Sequence, residues 1–201
     1  MDPSDTNTSW KRLADFLFEV GMLRKTPRTG YQFLGSGAEN VAEHSFRTAV
    51  IAYTLAKLEG ADIQRTVFLA LFHDLHEART GDFNYVNKIY NTTDAEKALS
   101  DSLQGTGLDE ILDFHQELET AESQEAVLAQ DADQIDLILN LKEELGLGNR
   151  YAATWMECAM ERLRTKIGRR MAQEIAKSDH TDWWFQGQDR YWWTRKNGKK
   201  D

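Results

Sequence analysis

Histidine and aspartate recur in this chain at a spacing that suits a metal ion. His44 lies in VAEHS, His73 and Asp74 form a dipeptide 29 residues later in LFHDLHE, and the segment QDADQIDL follows with Asp131, Asp133 and Asp136. Two imidazoles and two carboxylates make a mixed nitrogen and oxygen donor set that suits a divalent first-row ion without naming it. Two carboxylates offset a 2+ charge, and open coordination positions can hold water and a phosphate oxygen. A His-Asp dipeptide alone is a frequent accident and usually marks a polar helix end. Here the apolar run TVFLALF precedes it, so a buried helix delivers both side chains to a cavity. A buried carboxylate beside imidazoles is costly unless it faces a cation.

The elements that must position these residues read as helices throughout. Only two prolines occur, Pro3 and Pro27, and the middle of the chain is rich in Ala, Leu, Glu, Lys and Gln. Asn40 precedes a helically spaced run that Gly60 stops, and Asp62 opens a second helix that ends at the His-Asp pair. Further helices are expected over about 10–20, 93–103, 108–119, 123–145, 149–166 and 168–178. Two stretches read as irregular: TPRTGYQFLGSGAEN, long enough to be functional, and ARTGDFNYVNKIYNTT. The fold class expected is all-α, one helical bundle spanning 1–201. Its metal-binding core covers about 10–140, and C-terminal helices with an aromatic tail cover about 149–195.

Composition narrows the function classes. A formal net charge of −9 argues against nucleic acid as a partner, because non-specific binding rests on basic patches. The longest apolar run, Val67 to Phe72, is far short of the roughly 20 residues needed to span a membrane. The start, MDPSDTNTSWKR, lacks the pattern of a secretory signal, which suggests a cytoplasmic protein. Cys158 is the single cysteine and reads as core packing. The negative balance also means that an anionic substrate must be met by local cations or by the metal.

The segments PRTGY (27 to 31), ENVAEHSFRTAVIA (39 to 52), LALFHDLHEARTGD (69 to 82) and LAQDADQIDL (128 to 137), with Lys88 between them, resemble the HD-domain phosphohydrolases. Within that superfamily the likeness is to the branch of bacterial 5′-deoxynucleotidases and their relatives of unassigned substrate. The resemblance implies one divalent metal ion (Mn, Co, Ni, Zn, Fe or Mg) on His44, His73, Asp74 and Asp133. It favours Asp133 over Asp131, which it leaves as a solvated residue or one behind the ligands. It implies catalytic roles for Glu77, Asp82 and Asp74, and a phosphate grip by Arg28 with Lys88 as a second cation. Glu77, four residues after His73, shares a face with it if the helix continues. Tyr31 and Phe33 are candidates to stack on a base or sugar, with packing of the loop onto the core as the other reading. In the best-known branch a bulky aromatic follows the arginine directly and shapes sugar selection; here Thr29 and Gly30 intervene before Tyr31, which puts a deoxyribose preference in question.

The activity so implied is in-line attack of water on a phosphomonoester, with nucleoside 5′-monophosphates as the expected substrates. Other nucleotides, namely triphosphates, cyclic nucleotides or alarmones, are the alternative, and a non-catalytic ligand-binding helical domain is the contrasting class. His76 and His115 are left outside a mononuclear site. The aromatic run DWWFQGQDRYWW (182 to 193) reads as packing, with a homodimer contact as the other reading, and a homodimer is the expected assembly.

Overall fold

A computed structural model describes residues 9–185, and among them every regular element is a helix. After α1 (Trp10–Val20) come the short α2 (Tyr31–Leu34), then α3 (Val41–Glu59), α4 (Ile63–Phe72), α5 (Glu77–Thr80) and α6 (Tyr85–Tyr90). They are followed by α7 (Ala95–Leu103), α8 (Glu110–Thr120), α9 (Gln124–Gly146), α10 (Ala152–Glu161), α11 (Lys166–Lys177) and α12 (Asp182–Phe185). No helix among them is long and apolar enough to cross a membrane.

Local chemistry fixes the ends of the elements that carry the metal-type residues. Asn40 accepts from Glu43 N–H while the Glu43 carboxylate accepts from Asn40 N–H, a reciprocal cap that starts α3. Gly60, at φ 70°, ends it in a left-handed conformation that side chains with a Cβ adopt reluctantly. Asp62 caps α4 through Arg65 N–H. α9 is the axis of the fold: Leu128, Ala132, Ile135, Ile138 and Leu141 are fully or almost fully buried, and α3, α4, α10 and α11 pack around it. A helix apolar on so many sides belongs inside. A second apolar cluster of Phe16, Leu23, Val41, Leu75, Leu99, Leu103 and Ile111 ties the amino-terminal part to α3 and α7. Helices of both clusters thus meet at His44 and His73.

Several expectations need correction. The region expected as one helix over 149–166 is α10, ending at Glu161, and a tight turn into α11. Asp131 is the cause: it is buried, neither solvated nor behind the metal-type residues, and its carboxylate accepts from Arg164 N–H at 2.8 Å, Thr165 N–H at 2.9 Å and Thr165 Oγ1 at 2.5 Å. Thr165 in turn caps α11, which starts at Lys166 rather than at 168. The stretch read as irregular after α4 holds α5 and α6, the latter capped by Asn84 through Val86 and Asn87 N–H. The 26–40 loop contains α2 and closes on itself, with Arg28 N–H donating to Glu39 O and Val41 N–H to Thr26 O, around a Pro27–Asn40 bridge. Cys158 faces solvent on α10 instead of packing in the core. Of the aromatic run, Trp183 and Trp184 are exposed at 79% and 49%, and the residues after Phe185 lie outside the described residues.

Because the buried Asp131 carboxylate satisfies two backbone donors of the α10–α11 turn at once, Asp131→Ala should destabilise the chain by about 3 kcal/mol. That corresponds to a thermal midpoint lower by roughly 6–12 °C. Calorimetry checks the loss of stability; metal content per folded chain should stay unchanged, and a drop would mean that Asp131 serves the metal instead.

Candidate active site

α3, the end of α4 with the turn after it, and α9 deliver four donor atoms to one point. His44 Nε2, from the first half of α3, lies 3.2 Å from His73 Nε2 at the end of α4. It is 3.1 Å from Asp133 Oδ1 on α9 and 3.6 Å from Asp74 Oδ2 in the turn after α4. His73 Nε2 is 3.0 Å from Asp74 Oδ2 and 3.8 Å from Asp133 Oδ1. Nitrogen and oxygen ligands about 2.1 Å from a first-row ion stand about 3.0 Å apart at right angles and about 3.4 Å apart at the tetrahedral angle. The measured separations fall around those values, so the donor set fits such an ion. His44, His73 and Asp133 bring ligand atoms within 4.8 Å of one another, and Asp74 joins them through its two imidazole contacts.

Each imidazole is turned inward by a bond on its far nitrogen. His44 Nδ1 pairs with Asp136 Oδ2 at 2.6 Å, and His73 Nδ1 with Ala70 O at 2.7 Å. With the Nδ1 atoms as donors, both Nε2 lone pairs face each other and two carboxylates, an arrangement that only a cation or a proton can relieve. Asp136 is fully buried and is also held by Arg47, which reaches Glu143 as well. Asp133 is steadied at Oδ2 by Gln134 at 2.8 Å. The roles of the three acids follow from helix phase. At about 100° per residue, Asp133 points about 200° from Asp131 and only about 60° from Asp136.

The electrostatics without a cation are those of a site short of positive charge. Burial alone would lower the His44 pKa, but the bonds to Asp133 and Asp136 outweigh it and push it up to about 10. His73 is raised against its own burial by Asp74. Asp74 and Asp133 resist burial and sit well below the usual carboxylate range, Asp74 through His73 and Arg28, Asp133 through His44. Glu77 moves the other way: burial and the neighbouring charges of Asp74 and Asp82 push it up to about 9.

Beside this point lies a cavity of about 280 Å³ that Arg28, Tyr31, Asp74, Glu77, Asp82, Lys88 and Asp133 all line. Arg28 Nη1 donates to Asp74 Oδ2 at 3.1 Å, so the loop arginine stands at the edge of the donor set. Glu77 reaches the cavity by a route other than the expected continuous helix. α4 stops at Phe72, a tight turn links Glu77 N–H to Asp74 O, and α5 then starts at Glu77. Glu77 Oε2 is buried without a hydrogen-bond partner. Asp82 is anchored to the arginine loop, its Oδ2 accepting from Thr29 N–H at 2.6 Å. Thr29, the residue that stands where the resembling branch has an aromatic, thus ties the two loops together.

His76 and His115 pack their rings 5.7 Å apart and line a second cleft that also reaches His73, Asp74 and Asp133. Neither belongs to a group of ligand atoms within 4.8 Å of one another among the described residues. Sequence reasoning missed Asp136 as the partner of His44, Arg47 behind it, and Gln134, Asn140, Arg162 and Trp155 around the cavity. The spacing of Asp136, three residues after Asp133, was the available signal.

His44 holds its proton at neutral pH in the metal-free protein, so an entering cation must expel it. Metal affinity should therefore rise between pH 6 and 8 by at least about tenfold per unit, with proton release visible by calorimetry in buffers of different ionisation enthalpy. Affinity flat across that range would contradict the raised His44. Asp136→Asn should weaken metal binding by about 10- to 100-fold and reduce the proton release.

The sequence profile of the HD domain matches residues 20–176. The chain is 32% identical over 147 residues to the 5′-deoxynucleotidase HDDC2 of Bos taurus, covering 70% of this chain and 71% of that protein. It is 32% identical over 146 residues to the 5′-deoxynucleotidase YfbR of Salmonella typhi, 64% of this chain and 73% of the relative. A conserved hypothetical protein from Pyrococcus furiosus superposes with a TM-score of 0.70 at 27% identity, over 82% of this chain and 99% of that one. With a profile match running through α3, α4 and α9, the helices that carry the donor atoms, the chain belongs to the HD-domain family.

Proposed function

We propose that this chain is a divalent-metal-dependent phosphohydrolase acting on nucleoside 5′-monophosphates, with His44, His73, Asp74 and Asp133 as the metal ligands. The observation that carries the reading is the convergence of four acceptor atoms at ligand spacing on the wall of a cavity that also holds Arg28 and Glu77. Relatives named 5′-deoxynucleotidases at 32% identity supply the substrate class. A divalent ion in this site supplies Lewis acidity toward a phosphate oxygen and lowers the pKa of water.

The chain's own residues account for the rest. Arg28 offers a planar fork of donors to the phosphate, and Lys88 adds a second positive charge. The free Oε2 of Glu77 accepts the proton of the attacking water as its oxygen bonds to phosphorus. The bond to the 5′-oxygen breaks, and the same proton passes to that leaving oxygen. Without a cation Glu77, pushed up to about 9, is protonated at neutral pH; a divalent ion held beside Asp74 would offset the negative charge that raises it and leave the carboxylate free to take that proton. Asp82, held by Thr29, is placed to act on the sugar through its remaining oxygen, and Tyr31 stands on the cavity wall beside it.

The proposal takes residues 1–201 as one domain and the protein as cytoplasmic, without nucleic acid as a partner, in keeping with its charge of −9. It also takes the assembly as a homodimer, supported by Phe46, Val50 and Tyr53, which expose apolar surface along one face of α3. Phe46→Glu with Tyr53→Glu should convert a dimer to a monomer in light scattering; an unchanged mass would remove α3 from the interface.

Phosphate release from deoxy- and ribonucleoside 5′-monophosphates with added Mn, Co, Ni, Zn or Mg tests the activity. Glu77→Gln should keep its metal and lose about 10²- to 10⁴-fold in kcat. Asp74→Ala should lose metal and activity together. Both variants matching an active parent would remove this site from the reaction. Arg28→Lys should raise KM more than it lowers kcat, because the bidentate grip is lost while the charge stays.

A further inference from the structure

Trp155 has no part in the reaction described above, yet it occupies the cavity wall at a cost. α10 places its ring edge-on to Phe33, with centroids 6.3 Å apart at 68°, and edge-on to Tyr85, 6.1 Å apart at 71°. Two such contacts fix the plane of the indole. Its Nε1–H is buried with no hydrogen-bond partner, a penalty that a phenylalanine or a leucine would not carry. Among the described residues only two other buried side-chain atoms lack a partner, His76 Nδ1 and Glu77 Oε2, so an unpartnered buried donor asks for a functional reason.

The arginine loop is shaped around this ring. A Cβ at Gly30 would stand 2.8 Å from Trp155 Cη2, and the Gly30 φ of −57° is open to any residue, so glycine here supplies space and not conformation. Two residues earlier on the same loop, Arg28 meets Asp74. The cavity therefore has a charged end at Arg28 and an aromatic end at Trp155 and Tyr85, all three on its lining. Flanking Trp155, Tyr85 carries the Arg162 guanidinium 5.0 Å over its ring, and Arg162 is held by Gln134 Oε1 at 3.2 Å.

We infer that Trp155 is a specificity-determining residue whose ring, with Tyr85, forms the subsite for the planar nitrogen heterocycle of the substrate. The inference rests on the phosphohydrolase reading of the same cavity. Stacking on an aromatic side chain tolerates any base, since every base has a π-face. The wall therefore separates nucleotides from base-free sugar phosphates far more than it separates one base from another.

The test compares kcat/KM of the full-length, metal-loaded protein for the four deoxynucleoside 5′-monophosphates and for deoxyribose 5-phosphate. Trp155→Leu should lower the nucleotide values about tenfold through KM and leave deoxyribose 5-phosphate within about twofold. Trp155→Phe should recover most of the loss, with a thermal midpoint at or above that of the parent. An equal loss on nucleotides and on the base-free substrate, or no loss on nucleotides, would overturn the inference. Should the leucine variant not fold, inhibition of the parent decides: a free deoxynucleoside should inhibit deoxyribose 5-phosphate hydrolysis at a concentration where deoxyribose does not, and equal inhibition overturns the idea. A parent equally active on both substrate classes refutes the base subsite and leaves the phosphohydrolase reading standing, whereas a parent inert on every phosphomonoester refutes both.

Discussion

Four acceptor atoms within 3.0 to 3.8 Å of their imidazole neighbours repel one another unless positive charge sits among them, and the fold is arranged to hold them there regardless. Three are restrained from behind, His44 by Asp136, His73 by a backbone carbonyl one turn earlier and Asp133 by Gln134, while Arg28 holds Asp74 at the donor oxygen itself. These restraints need rigid mounts. α3 and α9 are the two longest helices, and their mutual packing, not any loop, sets the distance between His44 and Asp133. Pre-organisation of this kind converts folding energy into metal affinity, because the ion does not have to gather its ligands.

The long helices were legible because their apolar spacing and caps act locally. Asn40, Asp62 and Ser123 each bond to a backbone amide three residues on, so a short window of sequence contains both partners. The break after α10 was not legible, since its cause is Asp131, more than thirty residues upstream. The same distance problem hid Trp155, which reaches Gly30 across more than a hundred residues of chain. Glu77 was found for a reason that proved incomplete. The helix expected to align it with His73 ends one residue before that histidine, and a turn brings the carboxylate to the cavity instead. Asp131, Asp133 and Asp136 show the limit most clearly. Composition makes them equivalent, and only their phase around α9 assigns one to the α11 turn, one to the donor set and one to His44.

Thr29 and Gly30 illustrate how one loop position can change what a site needs elsewhere. Thr29 spends its N–H on Asp82, which locks the arginine loop to the turn after α5. Gly30 opens the space into which the indole of Trp155 fits. A bulky side chain at either position would displace one of these contacts, so the loop and α10 are matched to each other although neither contains a donor atom.

Charge imposes an order of events. The cavity is lined by Glu39, Asp74, Glu77, Asp82, Asp133 and Asp136 against Arg28, Lys88 and Arg162. Acids outnumber bases on this wall, in a chain of net charge −9, and although Glu77 is neutral and His44 positive at pH 7 without a metal, the lining favours a cation over a phosphate dianion. Arg28 alone does not reverse it, because its nearest partner is Asp74 and much of its charge is already engaged. A divalent ion held by His44, His73, Asp74 and Asp133 would offset two of those negative charges and would compete with Arg28 for Asp74, leaving the guanidinium available to a phosphate. On the proposed function the cation would then serve substrate binding as well as chemistry, and a protein stripped of it should bind a nucleoside 5′-monophosphate more weakly.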